Sequence, residues 1–175
     1  MKIYSIAIGV VSALILSGCA PKEIVLQHKF DAELTRSLFS KEGNNVINGN
    51  GFIRQNGGGV VTCSGSTVLL IPKTPYSSDR VRTMFGNTER GYRMYFLGVA
   101  PEFNFSEDPR EYERMMKNET CDSQGNFTFN KIGDGAYFLI TEVLWTVGQY
   151  SSQGGALLKS VNVSSGETKK IILTP

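Results

Sequence analysis

Side chains that could perform catalysis are few in this sequence and lie far apart. Ser64 and Ser66 could act as nucleophiles, but neither stands in the strand–turn–helix context of a nucleophile elbow. The single histidine, His28, lies in an early segment where we expect a solvated side chain rather than a general base. A solvated helix face accounts for three further carboxylates, Asp108, Glu111 and Glu113. The sequence therefore predicts no catalytic residue, no metal site and no cofactor.

Covalent lipidation is the chemistry that the N-terminus indicates. Lys2 is followed by an uncharged, largely apolar run over residues 3–16, and Ser17-Gly18-Cys19 follows Leu16. A positive start, a short apolar run and small residues at the cut are the order of a secretory signal. The tetrapeptide at 16–19 resembles the bacterial lipobox, in which the cysteine sulfur receives a diacylglycerol. The resemblance implies a signal peptide over residues 1–18 and a lipid on Cys19. An uncleaved anchor is the alternative, but a membrane span needs about 20 apolar residues.

The same resemblance implies a location in the cell. It implies three acyl chains on Cys19, and several chains anchor a protein stably where one binds only marginally. In lipoproteins of enteric type an aspartate after the cysteine favours inner-membrane retention, and Ala20 stands there instead. For a Gram-negative source we therefore expect an envelope protein anchored in the outer membrane and facing the periplasm. Without the signal the chain has 17 basic and 16 acidic residues, which gives no electrostatic case for nucleic acid.

Cys63 and Cys121 are the two cysteines that remain once Cys19 carries lipid. In an exported chain two remaining cysteines suggest one disulfide. Two free, buried thiols are the alternative. A zinc site fails for lack of ligands, because His28 is the only histidine and no CxxC pair exists.

Short β-type runs separated by turns dominate the rest of the chain. Residues 67–71 form one such run, which ends at Pro72, and residues 136–147 form the longest. Without alternating helices, this pattern predicts an all-β antiparallel sandwich over residues 48–175. A lipidated N-terminus and tether would precede it over residues 19–47. Apolar residues four apart in the tether indicate either a short helix or an irregular edge segment: Phe30, Leu34 and Leu38.

Residues 73–117 predict a partly helical insertion into this sandwich. Residues 109–117 favour a short helix, because Pro109 suits a first turn and the charges suit the helix dipole. The insertion is rich in arginine and tyrosine, which are common at interfaces, and loops on rigid scaffolds carry function. The candidate binding surface consists of Tyr76, Arg80, Arg82, Arg90, Tyr92 and Arg93. Packing of the aromatic residues onto the sandwich explains the composition equally well.

Four motifs occur in an order that resembles the carboxypeptidase regulatory-like domain: a V-x-L strand, a D-x-x-G-x-F hairpin, a G-x-Y strand entry and a last strand after a glycine turn. Their residues are Val68 and Leu70, then Asp122, Gly125 and Phe127, then Gly135 and Tyr137, and finally Gly166, Ile171 and Leu173. The resemblance implies a transthyretin-like (Ig-like) Greek-key β-sandwich of about seven antiparallel strands. In that fold the segments before the V-x-L strand and before the hairpin lie at neighbouring strand ends, which would let Cys63 and Cys121 meet.

The resemblance implies little about activity, because this fold supports many functions. Transthyretin-like hydroxyisourate hydrolases use several histidines and a C-terminal motif with tyrosine and serine, whereas this sequence ends Thr174-Pro175. We expect a non-catalytic, lipid-anchored envelope lipoprotein that binds a protein or a glycan and contacts the membrane through Cys19. The alternatives are the transthyretin-like lipoprotein of a type VI secretion system and an envelope enzyme with an unrecognised site.

Overall fold

Two β-sheets pack face to face in a computed structural model, which describes residues 22–149 and 151–175. The strands of this part are β1 (Glu42–Arg54), β2 (Val60–Thr62), β3 (Thr67–Pro72), β4 (Arg90–Met94), β5 (Lys117–Thr120), β6 (Asn126–Ile132), β7 (Gly135–Val147), β8 (Ser151–Val163) and β9 (Thr168–Leu173). The helices are α1 (Ala32–Phe39), α2 (Pro75–Phe85) and α3 (Arg110–Arg114). None of the described helices has the length and apolar character needed to cross a bilayer.

The smaller sheet has the order β2-β1-β6, and β9 pairs with β1 in parallel. The larger sheet has the order β4-β8-β7-β3-β5, and each of its neighbours is antiparallel. The predicted all-β sandwich is confirmed. The described residues hold nine strands rather than about seven, because β4 and the start of β5 come from the segment that the sequence indicated as an insertion.

The main core lies between the two sheets. Alternate residues of β1 point into it, including Ile47 and Ile53, and meet Leu139 of β7 from the opposite sheet. Phe127, from the predicted hairpin motif, is 4 % exposed, and its ring packs against the backbone of Gly49, where a Cβ would lie 1.9 Å from the ring. Phe127 and Gly49 are partners on neighbouring strands of the smaller sheet. Burial of each such large side chain contributes roughly 1.5–3 kcal/mol, so the side chains that both sheets direct into this core hold the sheets together.

A disulfide joins the sheets covalently. Cys63 directly follows β2 of the smaller sheet, and Cys121 directly follows β5 of the larger sheet. Their Cα atoms are 5.7 Å apart and the sulfurs are bonded, so the predicted pairing is confirmed. The predicted turn beside it is confirmed as well, because the Asp122 carboxylate accepts the backbone N–H of Gln124 at 2.8 Å and Gly125 adopts a φ of +82°.

A second, smaller core covers one end of the outer face of the larger sheet. Helices α1, α2 and α3 lie over this end. The buried residues of this core come from α2, from α3 and from the sheet, and they are Ile71, Tyr76, Val81, Tyr112, Phe138 and Leu158. Leu26 and Phe30, from the segment predicted as a tether, pack against the same cluster. The predicted boundary at residue 48 also falls inside β1, because Ile47 is fully buried between the sheets. Residues 1–18, Cys19 and Ala20 lie outside the described residues.

The segment 73–117 is partly helical, as predicted, and it also contributes a strand to the larger sheet. Strand β4 pairs with β8 at the edge of the larger sheet. Helix α2 begins with a capping box between Thr74 and Ser77 and ends at Gly86, whose φ is +79°. The helix predicted over 109–117 ends earlier, at Arg114, because Lys117 already belongs to β5, where it pairs with Leu70 of β3.

Candidate ligand-binding groove

An open groove lies at one end of the sandwich, where the two sheets separate. One wall is the β1–β2 hairpin around Gln55 and Asn56, and the other is the β7–β8 hairpin with the residues that follow β4. The groove, called here the end groove, has a volume of about 710 Å³, within the usual range for small-ligand sites. Three other concave sites on the described residues are smaller, at about 280, 310 and 420 Å³.

Trp145 provides an aromatic surface within this groove. It lies on β7 in the same alternating row as Leu139 and Val143, which are fully buried between the sheets. Strand β7 extends beyond the region where the smaller sheet covers it, so Trp145 is only half-buried and Val147 is exposed. Gln153 pairs with Trp145 across the hairpin, which places an amide beside the indole on the same face of the sheet.

A tight turn after β4 adds exposed apolar side chains to the groove. The backbone N–H of Tyr95 donates to the carbonyl of Gly154 at 2.9 Å, and the N–H of Val99 donates to the carbonyl of Phe96 at 3.0 Å. Between them Leu97 has a φ of +51°, which non-glycine residues seldom adopt and which clusters at functional sites. Phe96 is 81 % exposed and Leu97 is 61 % exposed. Contiguous apolar side chains held outward in this way mark a binding surface.

The polar lining of the end groove consists mainly of uncharged groups. Gln55, Asn56 and Gln153 each carry an amide that can donate and accept hydrogen bonds. Arg54 is the charged residue of the described lining, which includes no aspartate or glutamate. An aromatic surface with amides around it suits a neutral, hydroxyl-rich ligand with apolar faces, because such a ligand needs both stacking area and two-way hydrogen bonds.

Tyr95 lies at the junction between the end groove and a second depression. Burial, together with the hydrogen bond of 2.5 Å that its hydroxyl donates to Glu142, raises the pKa of Tyr95 to about 12. The phenol is therefore neutral at physiological pH and acts as a hydrogen-bonding group. The second depression, called here the side pocket, lies on the outer face of the larger sheet and has a volume of about 280 Å³.

Comparison with known proteins gives one informative likeness. No family model and no curated protein matches the chain. The fold is similar to the crystal structure of a "putative carbohydrate binding protein" from Pseudomonas aeruginosa, with a TM-score of 0.64 and 26 % sequence identity. The match covers 82 % of this chain and 96 % of that one. The likeness therefore extends over most of both chains.

The six residues of the sequence-predicted surface do not share one surface, which corrects that expectation. Tyr76 is 1 % exposed, since its ring packs edge-on against Phe30 and Tyr112. Tyr92 is half-buried and packs against the core between the sheets. For these two residues the alternative interpretation, packing onto the sandwich, is the one that the structure supports.

The four arginines of that predicted surface lie in different surroundings. Arg80 is largely buried and pairs with Asp108. Arg82 is exposed and pairs with Asp79 of the same helix at 3.2 Å. Three of the six residues belong to β4, and they are Arg90 at the solvent, Tyr92 at the core and Arg93 at the side pocket. The two sides of an edge strand thus separate residues that are close in sequence.

Most of the other residues with possible chemistry form hydrogen bonds or ion pairs that are structural. The backbone N–H of His28 donates to Asp79 Oδ2 at 2.9 Å, and its ring Nδ1 lies 2.8 Å from the same oxygen. Asp108 and Glu111 form ion pairs with arginines, and Glu113 faces solvent. Within residues 22–149 and 151–175, no group of three or more histidine, cysteine, aspartate or glutamate side chains is placed to hold a metal ion.

Sequence reasoning did not identify the residues of the end groove. Trp145 lies in the predicted strand over residues 136–147. Its partial exposure, however, depends on where the opposite sheet ends, and no local sequence pattern encodes that. Phe96 and Leu97 did offer a signal, because two large apolar residues directly precede Gly98 in a charged segment. Apolar residues at a glycine turn have no strand face to cover, and this conflict is a mark of function.

Proposed function

We propose that the protein is a non-catalytic, lipid-anchored envelope lipoprotein whose end groove binds a glycan. The observation that carries the proposal is the half-buried Trp145 beside Gln153, in a groove whose described lining has no acidic residue. A pyranose ring presents C–H groups on its faces and hydroxyl groups around its edge. An indole face and neighbouring amides match those two kinds of surface at once.

The exposed Phe96–Val99 turn adds a second apolar contact beside Trp145. Trp145 and Phe96, on the same wall of the groove, would contact successive sugar rings and displace loosely held water. Since the groove carries little charge, affinity would come from contact area and hydrogen bonds, and it would depend only weakly on salt. The similarity to a structure described as a putative carbohydrate binding protein supports the same ligand class.

The lipid anchor is proposed from the sequence, because Cys19 precedes the described residues. Ile24 pairs with Phe105, and its backbone N–H donates to the carbonyl of Asn104 at 2.7 Å. Four residues lie between Cys19 and Ile24, so the two Cα atoms are at most about 18 Å apart. Lipid on Cys19 would thus hold the protein close to the membrane. We expect the Cys19→Ser variant to be absent from the detergent phase and its N-terminal peptide to lack the mass of the acyl chains. A variant that is cleaved and still membrane-bound would contradict the anchor.

The glycan proposal is tested with the purified mature protein on a panel of soluble oligosaccharides. We expect binding to at least one class, and we expect Trp145→Ala to weaken it at least tenfold, which corresponds to about 1.4 kcal/mol. Leu144→Ala is the matched control. Leu144 directly precedes Trp145 on β7, faces the opposite side of the sheet and does not line the groove. Failure of every glycan to bind, or equal losses in the two variants, would overturn the proposal.

A further inference from the structure

The side pocket adjoins the end groove through Tyr95, which lines both. It lies on the outer face of the larger sheet, beyond the C-terminal end of α2. Its lining combines apolar and polar side chains. The apolar residues are Leu69, Met84, Phe85, Ile140 and Ala156, and the polar ones are Ser66, Thr67, Arg93, Tyr95, Thr141 and Glu142. Ala156 on β8 lies between Arg93 on β4 and Glu142 on β7, as the strand registers show. Because alanine is small, the row leaves a depression between two long polar side chains.

Arg93 brings a guanidinium to this pocket that interacts with the Tyr95 hydroxyl and still has two unpaired nitrogens. Its guanidinium carbon lies 4.5 Å from the centre of the Phe103 ring and 5.6 Å from that of Phe85. These rings stabilise the positive charge but supply no oxygen acceptor. Among the described residues, Nε and Nη1 of Arg93 are buried without a hydrogen-bond partner. Buried polar groups are nearly always paired, so these two donors indicate an acceptor that comes from outside the described residues.

Glu142 brings an acceptor to the opposite side of the pocket. One of its carboxylate oxygens, Oε1, accepts the Tyr95 hydroxyl, which fixes the side chain beside the pocket. Its negative charge and the positive charge of Arg93 balance within the pocket. A ligand group that is neutral overall, with one acceptor and one donor, therefore fits this pair better than a carboxylate or a phosphate, since an anion would be repelled by Glu142.

We infer that the side pocket receives the acetamido group of an N-acetylated sugar whose chain lies in the end groove. The acetamido carbonyl accepts from Arg93, its N–H donates to Glu142, and its methyl group contacts the apolar floor at Ile140 and Ala156. The inference rests on the proposed glycan-binding function and narrows it to one substrate class. A hydroxyl group at the same sugar carbon would reach neither the floor nor both polar partners.

Chito-oligosaccharides and cello-oligosaccharides of equal length test this inference, because they differ only in an acetamido or hydroxyl group at one ring carbon. By calorimetry with the mature protein we expect the chito-oligosaccharide to bind at least tenfold more tightly. Arg93→Met keeps an unbranched apolar stem and removes the donors, so it is expected to lower chito-oligosaccharide affinity at least tenfold and to abolish the preference over the cello-oligosaccharide. Arg93→Lys keeps the charge but lacks the planar fork of donors, so this variant is expected to lose most of the preference for the chito-oligosaccharide. Trp145→Ala is expected to weaken both ligands.

Three outcomes separate this inference from the proposed function. Equal affinity for the two oligosaccharides, with both lowered by Trp145→Ala, would overturn the acetamido pocket and leave the glycan groove standing. Tighter binding of an oligogalacturonate that is lost in Arg93→Met would show an anion site and would also overturn the inference. Absence of binding to any of the three glycans would overturn the proposed function together with the inference.

Discussion

Two arginines on the outer face of the larger sheet have similar aromatic surroundings and different partners. Arg80 lies within 6 Å of three ring centres, those of Tyr76, Phe105 and Tyr112, and also pairs with Asp108. Arg93 lies equally near three ring centres, those of Phe85, Tyr95 and Phe103, and two of its nitrogens have no partner among the described residues. The first lies at the end covered by the three helices, and the second lies at the open end beside the groove.

The difference teaches which residues serve stability and which are available for binding. At the covered end the polar groups are paired within the chain, as the Tyr76 hydroxyl shows by donating to the carbonyl of Glu107 at 2.7 Å. At the open end Trp145 and Phe96 keep exposed surface and Arg93 keeps unsatisfied donors. Substitutions at the covered end should therefore lower stability without changing ligand binding, and those at the open end should do the reverse.

The largest expected effect comes from removing the disulfide. This bridge joins the two sheets on which both the covered end and the open end are built. Replacing Cys63 and Cys121 with alanine is expected to lower the free energy of unfolding by up to about 4 kcal/mol, because the bridge closes a loop of 58 residues. Urea denaturation with and without reductant measures this loss. The variant that remains folded should bind glycan as the wild type does. A loss below 1 kcal/mol would show that interdigitation between the sheets, rather than the bridge, holds them.

The covered end is tested at Tyr76. Tyr76→Ala is expected to destabilise the protein by about 3 kcal/mol, since it removes a fully buried ring from contact with Phe30 and Tyr112. Tyr76→Phe is the matched control and should cost only about 1 kcal/mol, the contribution of the hydroxyl hydrogen bonds. Chemical denaturation separates the two. A change in glycan affinity in folded Tyr76→Phe would break the division between covered and open ends.

The smallest expected effect is a dependence on pH, also at the covered end. Burial alone would raise the pKa of Asp79, but hydrogen bonds and charge from His28, with the charge of Arg82, bring it below the ordinary value. Because the folded-state pKa is lowered, this contact stabilises the protein above the ordinary pKa of about 4 and is lost as the pH falls through the lowered value.

Melting curves between pH 6 and pH 3 measure the contribution of Asp79. We expect Asp79→Asn to lose less stability over this range than the wild type, by about 2 °C or less in melting temperature. His28→Ala should reduce the dependence in the same direction, since it removes the main source of the lowered pKa. Identical pH profiles for wild type and Asp79→Asn would show that the contact does not contribute.

Local sequence patterns predicted the parts of the fold that depend on neighbouring residues. The Asp122–Gly125 turn follows from residue chemistry over four positions, and the strand at 136–147 follows from length and composition. The edge strand β4 within the partly helical segment was not predicted, because arginine and tyrosine fit both a solvated loop and an edge strand. The end groove could not be predicted, because it exists where β7 and β8 extend past the smaller sheet, and that difference in length depends on pairing between distant strands.

Fluorescence of Trp145 tests the glycan-binding groove most directly, because Trp145 is the single tryptophan of the chain. Titration with a chito-oligosaccharide is predicted to give a saturable change in its emission, with the same dissociation constant that calorimetry gives. Gln153→Ala is predicted to shift the curve to higher concentration, and Leu144→Ala is predicted to leave it in place. Glycan binding detected by calorimetry with no change in Trp145 emission would contradict the assignment of the end groove as the binding site.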